Sequence, residues 1–307
     1  MADTYSLTFI AHGPALTNED QQQIEKFATV TANLQILGKH ELSKNRVIDF
    51  EVSTTTPDLV QRLISNENDR LKPAYDTFFQ KTSDRQDKKL FIFDMDSTLI
   101  YQEVIELIAA YANIEDKVAE ITERAMNGEL DFNDSLRERV LLLKGIDAST
   151  LWDELKLKLQ ITNGARELCK ALKKLGVVMG VCSGGFTPLA SFIKEQLGLD
   201  YAYANNLGVD DSNKLDGTTF GPVVNGDMKA QLLQDIAAKH DIDTNSAVAV
   251  GDGANDLKMM SVAGWGVAWN AKPKVQKEAP CCLNTKSLQD ILYIMGFDDE
   301  SIKKLIE

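Results

Sequence analysis

An open α/β sheet carrying a helical cap, preceded by a small α+β domain, is the fold that the 307-residue sequence predicts. Three observations predict it. Continuous apolar runs at 90–93, 177–181 and 247–250 have the length and composition of strands buried on both faces of a parallel sheet. The stretch from 104 to about 158 is helical in pattern throughout, with Gly128 and Gly145 as breaks, which is too much helix for one crossover. The first 80 residues alternate short strand-like and helix-like segments.

In that first segment, 5–11 is apolar with some alternation, and 17–30 is a polar, helix-compatible run opened by Thr17 and Asn18. Segments 34–42 and 47–52 are strand candidates, Thr56 and Pro57 open a second helix, and a last strand is expected near 75–79. The order β-α-β-β-α-β is the ferredoxin-like pattern. Residues 81–89, KTSDRQDKK, contain no apolar side chain and read as a linker. The predicted domains are therefore 1–80, the linker 81–89, and 90–307 with a helical cap at about 104–160.

Composition narrows the function classes. Hydrophobic residues at 44% and charged residues at 26% suit a soluble globular protein, and no apolar stretch approaches a membrane span. A formal net charge of -13 argues against a nucleic-acid or anionic-membrane partner, since either would need a basic face. The N-terminus lacks the basic flank of a signal peptide, and Cys169, Cys182, Cys281 and Cys282 have no CxxC spacing, so reduced thiols in the cytoplasm are expected. With only His12, His40 and His240 available, and none in a motif-like context, neutral-pH chemistry must run on carboxylates, lysine and metal.

Each of the three apolar runs ends in a polar or glycine-rich cluster: Asp94-Met95-Asp96-Ser97-Thr98, Ser183-Gly184-Gly185, and Gly251-Asp252-Gly253-Ala254-Asn255-Asp256. In open parallel sheets, ligands bind outside the carboxyl ends of the strands, so the three clusters should share one crevice. Asp94 and Asp96, two apart at a strand end, point to one side, and Asp252 adds a third carboxylate. Such hard oxygen ligands repel one another without a cation and suit Mg²⁺. Ser183 and Gly184 precede a helix-like segment at 187–197, where a hydroxyl and free N–H groups can hold phosphate oxygens. Lys229, at the start of a helix running to about 239, could neutralise charge on a transferring phosphoryl group.

The DMDST, VCSGGF, GDMK and GDGAND segments resemble the four ordered motifs of the haloacid dehalogenase superfamily, and residues 90 to about 290 are similar to its phosphoserine phosphatase family, whose reaction ends serine biosynthesis. The resemblance implies a Rossmannoid core and hydrolysis of a small-molecule substrate, O-phosphoserine, with Asp94 as nucleophile and Asp96 as general acid and base. It implies Mg²⁺ on Asp94, Asp96 (its carbonyl included) and Asp252, and phosphate contacts from Ser183, Gly184, Lys229 and Asn255. Asp256 would orient Lys229 or metal-bound water. Glu103 and Arg139 match positions that hold the serine amino and carboxylate groups, and Met126 matches a cap residue that closes over substrate. Residues before 85 loosely resemble small ACT-type regulatory domains. Alternatives are a relative acting on another small phosphate ester and a serine-binding protein with an inactive core; oligomeric state is open, a homodimer included.

Overall fold

A computed structural model describes residues 3–126 and 129–307, the side chain of Met126 excepted; Gly128, expected to break the cap helices, lies outside the described residues. In chain order the elements begin with β1 (Thr4–Ala11), α1 (Asn18–Lys26), β2 (Gln35–Ser43), β3 (Val47–Ser53), α2 (Pro57–Leu71) and β4 (Tyr75–Lys81). They continue with β5 (Leu90–Phe93), α3 (Val104–Ala112), α4 (Glu115–Met126), α5 (Phe132–Leu142), α6 (Ala148–Lys158) and α7 (Ala165–Lys174). Then come β6 (Val178–Phe186), α8 (Thr187–Leu197), β7 (Tyr201–Val209), β8 (Leu215–Phe220), α9 (Gly226–Lys239) and β9 (Ala247–Gly251). The chain ends with α10 (Leu257–Val262), β10 (Trp265–Trp269), α11 (Pro273–Glu278), β11 (Cys281–Leu283), α12 (Ile291–Ile294) and α13 (Asp299–Ile306).

Two compact units result, one of Met1–Lys89, Asn163–Val177 and Val267–Glu307, the other of Leu90–Thr162 and Val178–Gly266. Among the described residues no helix is long and apolar enough to cross a membrane.

In the first unit, β1 to β4 form an antiparallel sheet in the order β2-β3-β1-β4, the pairing expected of the β-α-β-β-α-β pattern. The Thr17 hydroxyl accepts from the Asp20 N–H and the Asp20 carboxylate from the Thr17 N–H, a capping box that starts α1. The α-helix stops at Lys26 and widens over Phe27–Thr31, where the sequence predicted one helix through 30. Leu7, Phe9, Ile24, Phe27, Phe50, Val60 and Ile64 pack between helices and sheet.

The polar stretch 81–89 is less solvated than its composition suggests, because Arg85 and Lys88 are 7% and 6% exposed. Arg85 holds Asp49 with two hydrogen bonds, Nη1 to Oδ2 at 2.8 Å and Nη2 to Oδ1 at 3.0 Å. Its Nε also donates to the carbonyl of Ile294 at 3.0 Å, and Nη2 to that of Tyr293 at 3.0 Å. These carbonyls end α12, where the helix supplies few donors of its own, and that of Tyr293 also accepts from the Gly296 N–H at 2.9 Å. Nearby, Arg46 forms a forked pair with Asp290, a residue only 2% exposed.

The second unit carries the strand order β9-β5-β6-β7-β8, parallel except for β8, which runs antiparallel to β7. All four residues of β5 are fully buried, as a central strand covered on both faces must be. Because β5 lies between β6 and β9, the three motif-bearing strand ends are adjacent. Helices α3 to α6 form an insertion whose entry and exit are stitched together. Tyr101 N–H donates to the Gln160 carbonyl at 3.0 Å and Thr162 N–H to that of Leu99 at 2.9 Å. The hairpin of β7 and β8, which sequence patterning did not single out, supports the insertion through backbone bonds between Gly145 and Leu215 (2.7 Å) and between Leu215 and Ile146 (2.8 Å).

Replacing Arg85 by Met leaves Asp49 buried without its counter-charge. It should lower the unfolding free energy by about 3–5 kcal/mol in urea titrations, and adding Asp49→Leu should recover much of that loss. A change below about 1 kcal/mol would show that the pair is effectively solvated.

Candidate active site

The crevice at the ends of β5, β6 and β9 is built around a buried lysine. Asp94 follows β5 and is fixed by its own N–H, which donates to the Val250 carbonyl of β9 at 2.8 Å. Helix α9 is capped by the Asn225 side chain, which accepts from the Met228 N–H at 3.0 Å, and its first turn delivers Lys229. The Lys229 ammonium has no exposed surface and donates to Asp94 Oδ1 and Asp256 Oδ1, each at 2.7 Å. Asp256 is positioned in turn by the Gly253 N–H at 3.0 Å.

Oxygens of Asp94, Asp252 and Asp256 lie within 4.8 Å of one another. The Asp96 side chain is not in that group. Its Oδ1 is buried with no hydrogen-bond partner among the described residues, and its Oδ2 lies beside the Ser183-Gly184-Gly185 turn. A Cβ on Gly185 would sit 3.2 Å from Asp96 Oδ2 and 3.0 Å from Ser183 Oγ, so any side chain there would crowd these two groups. A Cβ on Gly184 would sit 3.0 Å from the Phe132 ring of α5 and 3.8 Å from Asn255 Nδ2.

The sequence-predicted residues Asp94, Asp96, Ser183, Gly184, Lys229, Asp252, Asn255 and Asp256 thus occupy one crevice. Glu103 reaches it too, because it raises the Asp96 pKa and its Oε1 accepts from the Ser97 hydroxyl at 2.6 Å. Ser97 takes a left-handed backbone, with φ of 53°, immediately after Asp96. Arg139 interacts electrostatically with Glu103, and its Nε is buried without a partner among the described residues; burial lowers its pKa while Glu103 pulls the other way. The Met126 side chain, predicted to close over substrate, lies outside the described residues.

Sequence reasoning missed Phe132 and Asn205, and it placed Ser97 and Thr98 in the first cluster without giving them a role. Thr98 donates to Asp252 Oδ1 at 3.4 Å. Asn205, 1% exposed on β7, donates from Nδ2 to the Gly184 carbonyl at 2.8 Å and accepts on Oδ1 from the Val224 N–H at 2.8 Å. One buried amide therefore joins the phosphate-type turn after β6 to the segment entering α9. An asparagine in an Ala204-Asn205-Asn206 run carries no local signal of that role.

Electrostatics define what the crevice can accept. Four carboxylates, those of Asp94, Asp96, Asp252 and Asp256, face one ammonium. Burial first, then repulsion from Asp256, pushes Asp94 up to about 8 despite Lys229. Burial, with Asp94 and Glu103, lifts Asp96 well above the usual range. For Lys229, burial opposes the charge but Asp256 and Asp94 outweigh it, so its pKa is raised and it stays protonated. A hard divalent cation on these oxygens would relieve the excess of buried negative charge, so the donor set fits one.

A family model for haloacid dehalogenase-like hydrolases matches residues 88–264. Phosphoserine phosphatase of Saccharomyces cerevisiae is 50% identical over 307 residues, covering 97% of this chain and 98% of that protein. The chain belongs to the haloacid dehalogenase-like hydrolases, in their phosphoserine phosphatase family. Among solved structures, one titled as a phospho-aspartyl intermediate analogue of phosphoserine phosphatase is 44% identical, with a TM-score of 0.63 over 67% of this chain and 98% of that chain. A probable phosphoserine phosphatase from Vibrio cholerae is 33% identical, with a TM-score of 0.72 over 98% of this chain and 88% of that chain. Enzymes of this family generally use a divalent metal, in keeping with the carboxylate cluster.

Asn205→Ala removes the bridge between two motif-bearing segments without touching reacting atoms. Turnover is expected to fall by roughly 10- to 100-fold, the scale of a small misplacement of catalytic groups, with thermal unfolding still cooperative. Turnover within about twofold of wild type would show that the turn and α9 hold their places independently.

Proposed function

We propose that this hydrolase cleaves O-phospho-L-serine to L-serine and phosphate through a phosphoryl group carried transiently on Asp94. The observation that carries the substrate assignment is a carboxylate, Glu103, and a guanidinium, Arg139, near enough to interact electrostatically beside a buried nucleophile-type aspartate. An amino acid presents the complementary pair, an ammonium for Glu103 and a carboxylate for Arg139.

In this reading the Ser183 hydroxyl, the Gly184 N–H, Asn255 and the Lys229 ammonium hold the phosphoryl oxygens. An Asp94 carboxylate oxygen attacks phosphorus as the bond to the serine oxygen breaks, and Asp96 gives its proton to that leaving oxygen. The raised pKa of Asp96 keeps the proton available near neutrality. Serine departs, and the Asp96 carboxylate takes a proton from a water that attacks the same phosphorus. The bond to Asp94 then breaks and phosphate is released, with Asp96 already restored to its protonated form by the water's proton. Splitting one displacement into two in this way is covalent catalysis. We assign the metal as Mg²⁺, held by Asp94, the Asp96 carbonyl and Asp252; it would supply positive charge against the phosphoryl oxygens. Asp256 keeps Lys229 in place between the two aspartates.

We further read residues 90–307 as the catalytic domain, with 104–160 as a cap that excludes water, and 1–80 as a ferredoxin-like domain followed by the linker 81–89, its sheet sharing one compact unit with 163–177 and 267–307. Four unbridged cysteines support residence in the reducing cytoplasm.

Purified protein should release phosphate from O-phospho-L-serine with Mg²⁺ and not with EDTA. Asp94→Asn should reduce that release by roughly four orders of magnitude or more. Metal-independent release, or full activity in the variant, would remove Asp94 from this role. Glu103→Gln should raise KM for phosphoserine by about tenfold or more while sparing p-nitrophenyl phosphate, and equal losses on both esters would count against the serine assignment.

Metal binding should also depend on pH. The Asp94 proton, held up at about 8 in the metal-free protein, must leave before that carboxylate can ligate. Apparent Mg²⁺ affinity by calorimetry is therefore expected to tighten from pH 6 to pH 8, by up to roughly tenfold per unit for a single released proton. A flat profile would show that Asp94 is already ionised at the lower pH.

A further inference from the structure

Two buried donors on α5 have no hydrogen-bond partner among the described residues: Arg139 Nε and Ser135 Oγ. Four residues apart, they lie on one face of the helix. Phe132 shares that face, three residues before Ser135, and reaches the Gly184 turn. Arg139 is coupled electrostatically to Glu103 on the same side. The opposite face looks outward: Leu141 on it is 61% exposed, at the edge of the β7–β8 hairpin near Gly217. Ser135 therefore belongs to the face of the cap that looks onto the crevice, and it is 3% exposed.

An interior helical serine usually returns its hydroxyl to the carbonyl one turn back or to solvent. Here the Asp131 carbonyl takes the Ser135 backbone N–H at 3.0 Å, while the buried hydroxyl has no acceptor among the described residues. Burying a hydroxyl unpaired is unfavourable, and alanine would fill the same space without that cost. The arrangement makes physical sense where a bound molecule supplies the acceptor.

We propose that Ser135 is a specificity-determining residue whose hydroxyl donates to the substrate carboxylate beside the Arg139 guanidinium. This rests on the reading that the substrate is an amino-acid phosphate ester. A carboxylate offers about four lone-pair sites and can accept from both groups at once. Phosphate esters without a carboxylate would gain nothing from Ser135.

Ser135→Ala tests this, with three readouts: steady-state kinetics on O-phospho-L-serine, inhibition by inorganic phosphate in the same assay, and the melting temperature of the ligand-free protein. The expected result is a KM for phosphoserine raised about tenfold with kcat within about twofold. The inhibition constant for phosphate should not change, because phosphate fills only the phosphoryl site. The melting temperature should stay the same or rise, since an unpaired buried hydroxyl has been removed. An unchanged KM overturns the proposal, and so does a parallel loss in KM, phosphate inhibition and melting temperature, which is the pattern of a structural serine. Wild-type protein that fails to hydrolyse phosphoserine overturns the substrate reading and the proposal with it. Wild-type activity with no KM change in the variant overturns the proposal alone.

Discussion

A lysine ammonium with no exposed surface, held between two buried aspartates, is the interaction on which the crevice depends. Removing such a charge from water is expensive, several kcal/mol per ion even after relaxation. The cost is tolerable only with short, well-directed partners on every side. Asp94 and Asp256 supply them, and each is itself held by backbone: Asp94 through its N–H by the Val250 carbonyl of the neighbouring strand, Asp256 by the Gly253 N–H of its own turn. The ammonium therefore ties the ends of β5 and β9 and the start of α9 into one rigid constellation. The pairing leaves the site acidic, because one cation cannot balance four carboxylates, and that imbalance makes the site a receptor for a hard cation and a phosphate together.

Around this centre, small residues are placed where backbone must come close. Gly184 and Gly185 let Phe132, Asp96 and Ser183 come close enough that a Cβ at either position would be tightly crowded. Ser97 accepts a left-handed backbone right after the acidic pair, and its hydroxyl holds Glu103. A non-glycine residue in that conformation costs on the order of 1 kcal/mol or more. It is retained where the chain must turn from the strand end into the cap and still present Asp94 and Asp96 to the same side.

The unit containing the N-terminal sheet solves a different problem with related chemistry. Arg85 and Arg46 carry charge into a poorly solvated place, where it is matched by Asp49 and Asp290 and by the carbonyls that end α12. The stretch containing Arg85 looks like a solvated linker by composition, since nothing in it is apolar. Arginine can be buried without apolar neighbours in sequence when five donors find acceptors, and those acceptors come from residues far along the chain.

What the sequence determined by itself was whatever depends on local order. The all-apolar strand runs, the acidic and glycine-rich clusters that follow them, the β-α-β-β-α-β alternation and the helical insertion are all periodic or contiguous patterns. Strand ends in an open parallel sheet have only one place to converge, so Asp94, Ser183 and Asp252 could be grouped before any coordinates. Tertiary structure alone decided which side chains meet at a distance: Asn205 between Gly184 and Val224, Phe132 over Gly184, and Ser135 unpaired on the inner face of α5. It also decided that the compact carboxylate cluster contains Asp256 rather than the Asp96 side chain. A hydrogen bond is fixed by ångström distances between residues tens of positions apart, and that information is written in the packing of the elements rather than in the order of residues along any one of them.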